Sequence, residues 1–184
     1  LKKELVNNNA SELVQSNIEY GDSIVFNDVS FSYPGTERKV LKNINIRIKK
    51  TDKVGIIGES GSGKTTFIDI LSGLIIPNHG SIEIDGQTLD DTNNQSWMKK
   101  ISFISQDISL FNESICENIT LNENKFDQDF LDESIKKSGL SKELSKFPNG
   151  INSIIGDEGS FLSGGQKQRI GIARAFYHTR DIMI

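Results

Sequence analysis

The chain has a single cysteine, Cys116, in 184 residues, so an internal disulfide is excluded and the thiol reads as inert packing. No secretory signal opens it, and a reducing, cytoplasmic compartment is expected. No apolar run approaches the roughly 18 to 20 residues that span a bilayer. Gly73 to Pro77 is the nearest and is far too short. Positive charge is also scarce: 21 Lys and Arg stand against 25 Asp and Glu, a formal net charge of -4. No basic stripe that would track a phosphate backbone is visible, so no nucleic-acid partner is expected. There is no internal repeat, and the one biased tract is Asn7-Asn8-Asn9. With 35% hydrophobic and 25% charged residues, the composition is that of a globular domain able to bury a core.

Residues 1–22 carry no sustained apolar period and are expected to form a linker, with the domain running over 23–184. The chain opens on Leu1 and stops at Ile184 inside an apolar run, so both ends read as cut from a longer polypeptide. From Ile24 the residues alternate: Ile24, Phe26, Val29, Phe31 and Tyr33 share a face, with a phase slip at Asn27-Asp28 that predicts a bulge. Ile44, Ile46 and Ile48 predict a second half-buried strand. Val54-Gly55-Ile56-Ile57 reads as a short strand inside a parallel sheet. Phe67, Ile70, Leu71 and Leu74 lie on one face of a helix that Gly73 helps to end. Ile82 and Ile84 precede the turn pair Asp85-Gly86, and Ile101 to Ile104 is another strand. From Asp127 to Lys146 the pattern is helical, with Phe130, Leu131, Ile135, Leu140 and Leu144 as buried positions. A last helix is expected from about Gly165 to His178, then a strand at Ile182-Met183-Ile184.

Between the apolar run at 54–57 and the helix that follows lies Gly58-Glu59-Ser60-Gly61-Ser62-Gly63-Lys64-Thr65, a full match to G-x-x-x-x-G-K-[ST]. The glycines let successive backbone N–H groups turn inward around an anion, and the helix adds its positive end. Lys64 then reaches the β- and γ-phosphates, and the Thr65 hydroxyl is placed to ligate Mg²⁺. Such a loop binds a nucleoside triphosphate, but GTPases, kinases, helicases and recombinases all share it.

The choice among them rests on Phe161-Leu162-Ser163-Gly164-Gly165-Gln166-Lys167-Gln168-Arg169. Ser163 can cap the helix that begins here and, with the Gly164 and Gly165 amides, offers a second anion site. By this string, together with the phosphate loop, the chain resembles the nucleotide-binding domain of ABC transporters from about Ile24 to Ile184. The resemblance implies an α/β P-loop NTPase (RecA-like) core with an antiparallel β subdomain and an inserted helical subdomain at about 107–178. The C-terminal part of that core would lie beyond Ile184.

It also implies ATP and Mg²⁺ as cofactors, held by Gly58 to Thr66 and, from a second copy, by Ser163 to Gln166. Tyr33 would stack on adenine, and Gln106 would touch Mg²⁺ and the attacking water. The segment Ile108 to Ile119 is similar to the groove that receives coupling helices of a membrane domain. Its wording at Leu110-Phe111-Asn112-Glu113-Ser114-Ile115 and Glu117-Asn118-Ile119, like Gly156-Asp157-Glu158-Gly159, is closer to exporters than to importers. The expected partners are a transmembrane region in the same polypeptide and a second nucleotide-binding domain, met head to tail across a two-fold axis. The place would be the cytoplasmic face of a membrane.

The family's metal-binding Asp, catalytic Glu and switch His follow the last strand, and none of the three is in these 184 residues. The chain alone is therefore expected to be inactive. Two other readings stay open at this point: a soluble ABC-type module in DNA repair or translation, and a regulatory module that binds nucleotide without hydrolysing it.

Overall fold

The alternation from Ile24 onward forms strand β1 (Ser23–Phe31) in the computed structural model, which describes residues 16–123 and 125–184. It is one of the two inner strands of a four-stranded antiparallel sheet, ordered β2-β1-β3-β4, with β2 (Leu41–Lys49), β3 (His79–Ile84) and β4 (Gln87–Thr88). Ile24 pairs with Ile48 and with Ile84, and Phe26 with Ile46 and Ile82, so one apolar face is continuous across three strands. The slip at Asn27-Asp28 is a bulge: both ladders shift register there, and Asp28 takes φ 51°. Asp85 and Gly86 both have positive φ, the geometry of a two-residue hairpin turn between β3 and β4.

Helix α1 (Lys64–Leu71) lays Phe67 on Phe26, ring centroids 4.8 Å apart and nearly parallel, and buries Ile70 completely. It stops as expected at Gly73. In left-handed conformation, Gly73 lets its own N–H reach the Ile70 carbonyl and lets the Leu74 N–H reach Asp69. That turn carries Leu74 off the apolar face and leaves it exposed. A short helix, α2 (Asn94–Met98), places the fully buried Trp97, whose indole N–H donates to the Leu71 carbonyl at 2.7 Å. Of the segment expected to be a linker, 1–15 lies outside the described residues. Residues 16–22 lie along this unit, with Ile18 and Tyr20 buried and Tyr20 edge-on to Trp97.

These elements form one of two compact units, 1–99; the other is 100–184. The second unit pairs β5 (Ile101–Ser102) in parallel with β6 (Ile182–Met183). Its helices are α3 (Ile115–Thr120), α4 (Gln128–Lys137), α5 (Ser141–Leu144) and α6 (Gly164–Tyr177). Their core is Ile115, Ile119, Leu131, Leu140, Ile155 and Ile170, all at most 1% exposed.

Besides the exposed Leu74, two further expectations fail. Val54 to Ile57 is not a strand: Val54 is half-exposed and Ile57 is 98% exposed. A parallel strand needs neighbours to take its N–H and C=O groups, and among the described residues no strand pairs with it. Phe130 is exposed, because Leu131, Ser134 and Ile135 define the buried face of α4 and a residue one position away is turned about 100° from it. Leu131, Ile135 and Leu140 are buried as predicted.

Candidate functional site

The phosphate-loop residues 58–63 form an irregular loop on the surface, and α1 begins at its end. Gly63 caps α1 with φ 94°, and a Cβ there would lie 3.1 Å from the Val40 carbonyl oxygen and from the Val40 and Leu41 side chains. Both the conformation and the close approach demand glycine. The Lys64 ammonium folds back over the loop, donating to the carbonyl oxygens of Gly58 (2.8 Å) and Glu59 (2.7 Å). Thr65 is exposed beside it, whereas Thr66 is buried and its hydroxyl meets the Tyr33 hydroxyl at 3.0 Å. Tyr33 is 41% exposed and edge-on to Phe31.

Tyr33, Ser60, Gly61, Lys64, Thr65 and Thr66 line one cleft of about 570 Å³, together with Arg38 and Val40. With Gly63, which lines it too, the first unit thus brings seven of the sequence-derived candidates to one surface cleft. Arg38 and Val40 were not foreseen, since nothing in the sequence ties the turn after β1 to the phosphate loop. The cleft fits a polyphosphate: it has a loop with left-handed glycines, a helix N-terminus and an ammonium held by nothing stronger than carbonyl oxygens. Among the described residues no cluster of three His, Cys, Asp or Glu could hold a metal, so a cation here would rely on the Thr65 hydroxyl and on phosphate oxygens.

In the second unit Ser163 caps α6 in a capping box with Gln166. The Ser163 N–H donates to the Gln166 side-chain oxygen Oε1 at 2.8 Å, and the Gln166 main-chain N–H donates back to the Ser163 hydroxyl at 3.4 Å. Gly164 and Gly165 are exposed, with open space where a Cβ would stand, so their amides are accessible. Gln106 is exposed in a bend after β5. Lys167 donates to the carbonyl oxygen of Glu158, fixing the Asp157–Gly159 turn to α6.

Asn118, which the sequence offers only as part of its exporter-like wording, and Arg174, which it does not single out, hold this unit together. Asn118, completely buried, accepts the Phe111 N–H at 2.9 Å and donates to the carbonyl oxygens of Phe111 and Ser114, each at 3.0 Å. Arg174 of α6 donates to the carbonyl oxygens of Asn118 (2.8 Å) and Ser109 (3.1 Å), and its burial lowers its pKa from the ordinary guanidinium value. The available signal was weak: a polar residue on the buried face of α3, four positions after Ser114.

A phosphate cleft and a Ser-Gly-Gly helix start, on one chain and in this order, narrow the families to be compared. The family described as ABC transporter matches residues 41–184. The chain belongs to the ABC transporter family. Among ABC proteins it is 35% identical over 164 residues to an ATP-dependent lipid A-core flippase of Cupriavidus pinatubonensis, covering 88% of this chain and 28% of the relative. It is 36% identical over 184 residues to a putative export ATP-binding/permease protein of Rickettsia bellii, covering 100% and 31%. A leukotoxin translocation ATP-binding protein of Mannheimia glucosida is 37% identical over 166 residues, covering 90% and 23%.

The fold agrees with that of an ABC ATPase. A bacterial Atm1-family ABC exporter solved with ATP bound superposes with a TM-score of 0.82 at 29% identity, over 91% of this chain and 29% of that one. The chain is accordingly an ABC ATPase domain of P-loop NTPase fold, in a family of ATP-binding proteins. It spans less than a third of the length of each of these relatives. No described helix is long and apolar enough to cross a membrane.

Proposed function

We propose that this chain is the ATP-binding part of an exporter, in which two copies meet head to tail around ATP and Mg²⁺ and drive a substrate across a membrane. The observation that carries the proposal is the presence on one chain of two features suited to an anion: the Tyr33–Lys64–Thr66 cleft and the Ser163-capped turn whose Gly164 and Gly165 carry no side chains. The export relatives and the exporter structure support the direction of transport.

In this reading Lys64 leaves the Gly58 and Glu59 carbonyls for the β- and γ-phosphates, where a charge-assisted bond is stronger. The backbone N–H groups of 58–63 surround the same phosphates, Thr65 ligates Mg²⁺, and Tyr33 offers a ring face to adenine. Gln106 orients water. When bound, Mg²⁺ neutralises charge between the β- and γ-phosphates. Ser163 and the Gly164 and Gly165 amides approach the γ-phosphate from the second copy, so the nucleotide joins the two copies and its hydrolysis parts them. These 184 residues contain no carboxylate in the place the family uses to polarise water, so the chain alone should turn over no Mg-ATP above background.

The test is nucleotide affinity and ATPase activity of the full-length protein with and without Lys64→Ala. Loss of both with the substitution is expected. Equal affinity in the two proteins would overturn the assignment of the cleft.

A further inference from the structure

The cap of α6 does not end with Ser163 and Gln166. The side chain of Gln166 has one acceptor and two donor hydrogens, and each end has its own partner. Its carbonyl oxygen takes the Ser163 N–H at 2.8 Å, and its NH₂ group donates to a Glu143 carboxylate oxygen at 3.1 Å. Glu143 lies on α5, more than twenty residues earlier in the chain. The Lys146 ammonium holds the same carboxylate through both oxygens, at 2.9 and 3.0 Å. Glu143 is the sheltered member of that ion pair, 21% exposed against 64% for Lys146.

The chemistry makes this chain of contacts directional. A main-chain N–H cannot accept and a carboxylate cannot donate, so the Gln166 amide has one orientation that satisfies both neighbours. Flipping it would set NH₂ against N–H at one end and oxygen against carboxylate at the other. The turn it steadies has little stiffness of its own, because Gly164 and Gly165 carry no side chains and meet nothing where a Cβ would be.

We infer that Glu143 is a positioning residue for the Ser163-Gly164-Gly165 turn: through Gln166 it fixes the capping box, and thereby the direction of the Ser163 hydroxyl and the two glycine amides. The inference rests on the reading above, in which that turn engages the γ-phosphate of ATP held by a second copy. Glu143 itself touches no nucleotide. Its carboxylate acts as an acceptor, so Gln at 143, which retains an acceptor oxygen, should serve in its place.

The test uses the full-length protein with Glu143→Ala, Glu143→Gln, Gln166→Ala and the double substitution Glu143→Ala/Gln166→Ala. Glu143→Ala should lower kcat of ATP hydrolysis about five-fold, the scale of one lost helix cap. Nucleotide affinity at the Lys64 cleft should stay within two-fold, as no residue of the cap lines that cleft. Glu143→Gln should restore kcat to within about two-fold of the unaltered protein. The double variant should be no slower than Gln166→Ala, because the effect passes through Gln166. A parallel readout is amide hydrogen exchange at Ser163, which should quicken in Glu143→Ala and not in Glu143→Gln.

Unchanged exchange and unchanged kcat in Glu143→Ala would overturn the inference, as would an equal loss in Glu143→Gln and Glu143→Ala. Failure of the ATP reading is separable. It would show as hydrolysis insensitive to Lys64→Ala, while exchange at Ser163 would still decide whether Glu143 holds the turn.

Discussion

The phenolic oxygen of Tyr33 lies 3.0 Å from Oγ1 of Thr66, so the aromatic beyond the end of β1 is tied to the helix that follows the phosphate loop. Two substitutions separate the tie from the ring. Tyr33→Phe keeps the face and loses one hydrogen bond, with an expected cost of about 1 kcal/mol, or about five-fold in nucleotide dissociation constant. Tyr33→Ala loses the face as well and should cost about 1–3 kcal/mol more, the usual scale of base–aromatic stacking. Titration of the full-length protein with a fluorescent ATP analogue reads both. Equal affinity in all three proteins would mean that the ring does not meet the base.

The head-to-tail arrangement predicts complementation between two damaged proteins. Lys64→Ala spoils the phosphate loop and Ser163→Arg spoils the capped turn, so each alone should lack ATPase activity. A mixed dimer has one doubly damaged site and one intact site, and partial activity should return on mixing. Strong coupling between the sites could mask the rescue. Crosslinking of Ser60→Cys to Gly164→Cys between copies, promoted by ATP in a protein blocked in hydrolysis, is the companion measurement. No crosslink and no rescue would rule the arrangement out.

Asn118 predicts a stability effect with an instructive order. Asn118→Ala leaves the Phe111 N–H and two carbonyl oxygens without their side-chain partner and should destabilise the 100–184 unit by about 1–3 kcal/mol. Asn118→Asp is expected to be worse, since it turns a donor into an acceptor facing two carbonyl oxygens and buries a charge. Hydrogen exchange of α3 and α6 amides measures the loss within that unit. The reverse order would show that the amide donor is dispensable.

His178, just past the end of α6, approaches the Ile119 carbonyl oxygen at 3.1 Å through Nε2. Burial lowers its pKa, aided by Arg180 and Arg174, and this outweighs the opposite pull of Glu123 and of the carbonyl. In the unfolded chain the ring takes its proton near 6.5, so its contribution to stability is full above that value. It is lost as pH falls through the lower, folded pKa. Between pH 7.5 and 5, the exchange-measured stability of this unit should fall more in the unaltered chain than in His178→Gln. An imidazole titration midpoint at or above 6.5 by NMR would contradict the prediction.

What could be read from the sequence followed the range of each signal. The bulge at Asn27-Asp28, the Asp85-Gly86 turn, the stop at Gly73 and the Ser163 cap are all local, set by residues within a few positions, and each forms as expected. Val54 to Ile57 was misjudged because strand formation depends on partners that an apolar run does not specify. Arg174 and Glu143 escaped notice for a related reason. Their partners lie up to 65 residues away, and a buried guanidinium or a half-sheltered carboxylate has no spacing rule to reveal it.

The bare run at 54–57 has a practical side. Ile57 stands almost wholly in water, and among the described residues no backbone hydrogen bond engages its stretch of chain. Such a segment is a template for strand addition, and a second molecule of the same polypeptide supplies a complementary one. Concentrated solutions of the 184-residue chain should therefore scatter light increasingly with time, and the growing particles should bind amyloid dyes. Lysine at position 57 should keep the molecules apart, because a charge at the middle of the template cannot be carried into a dry strand pairing.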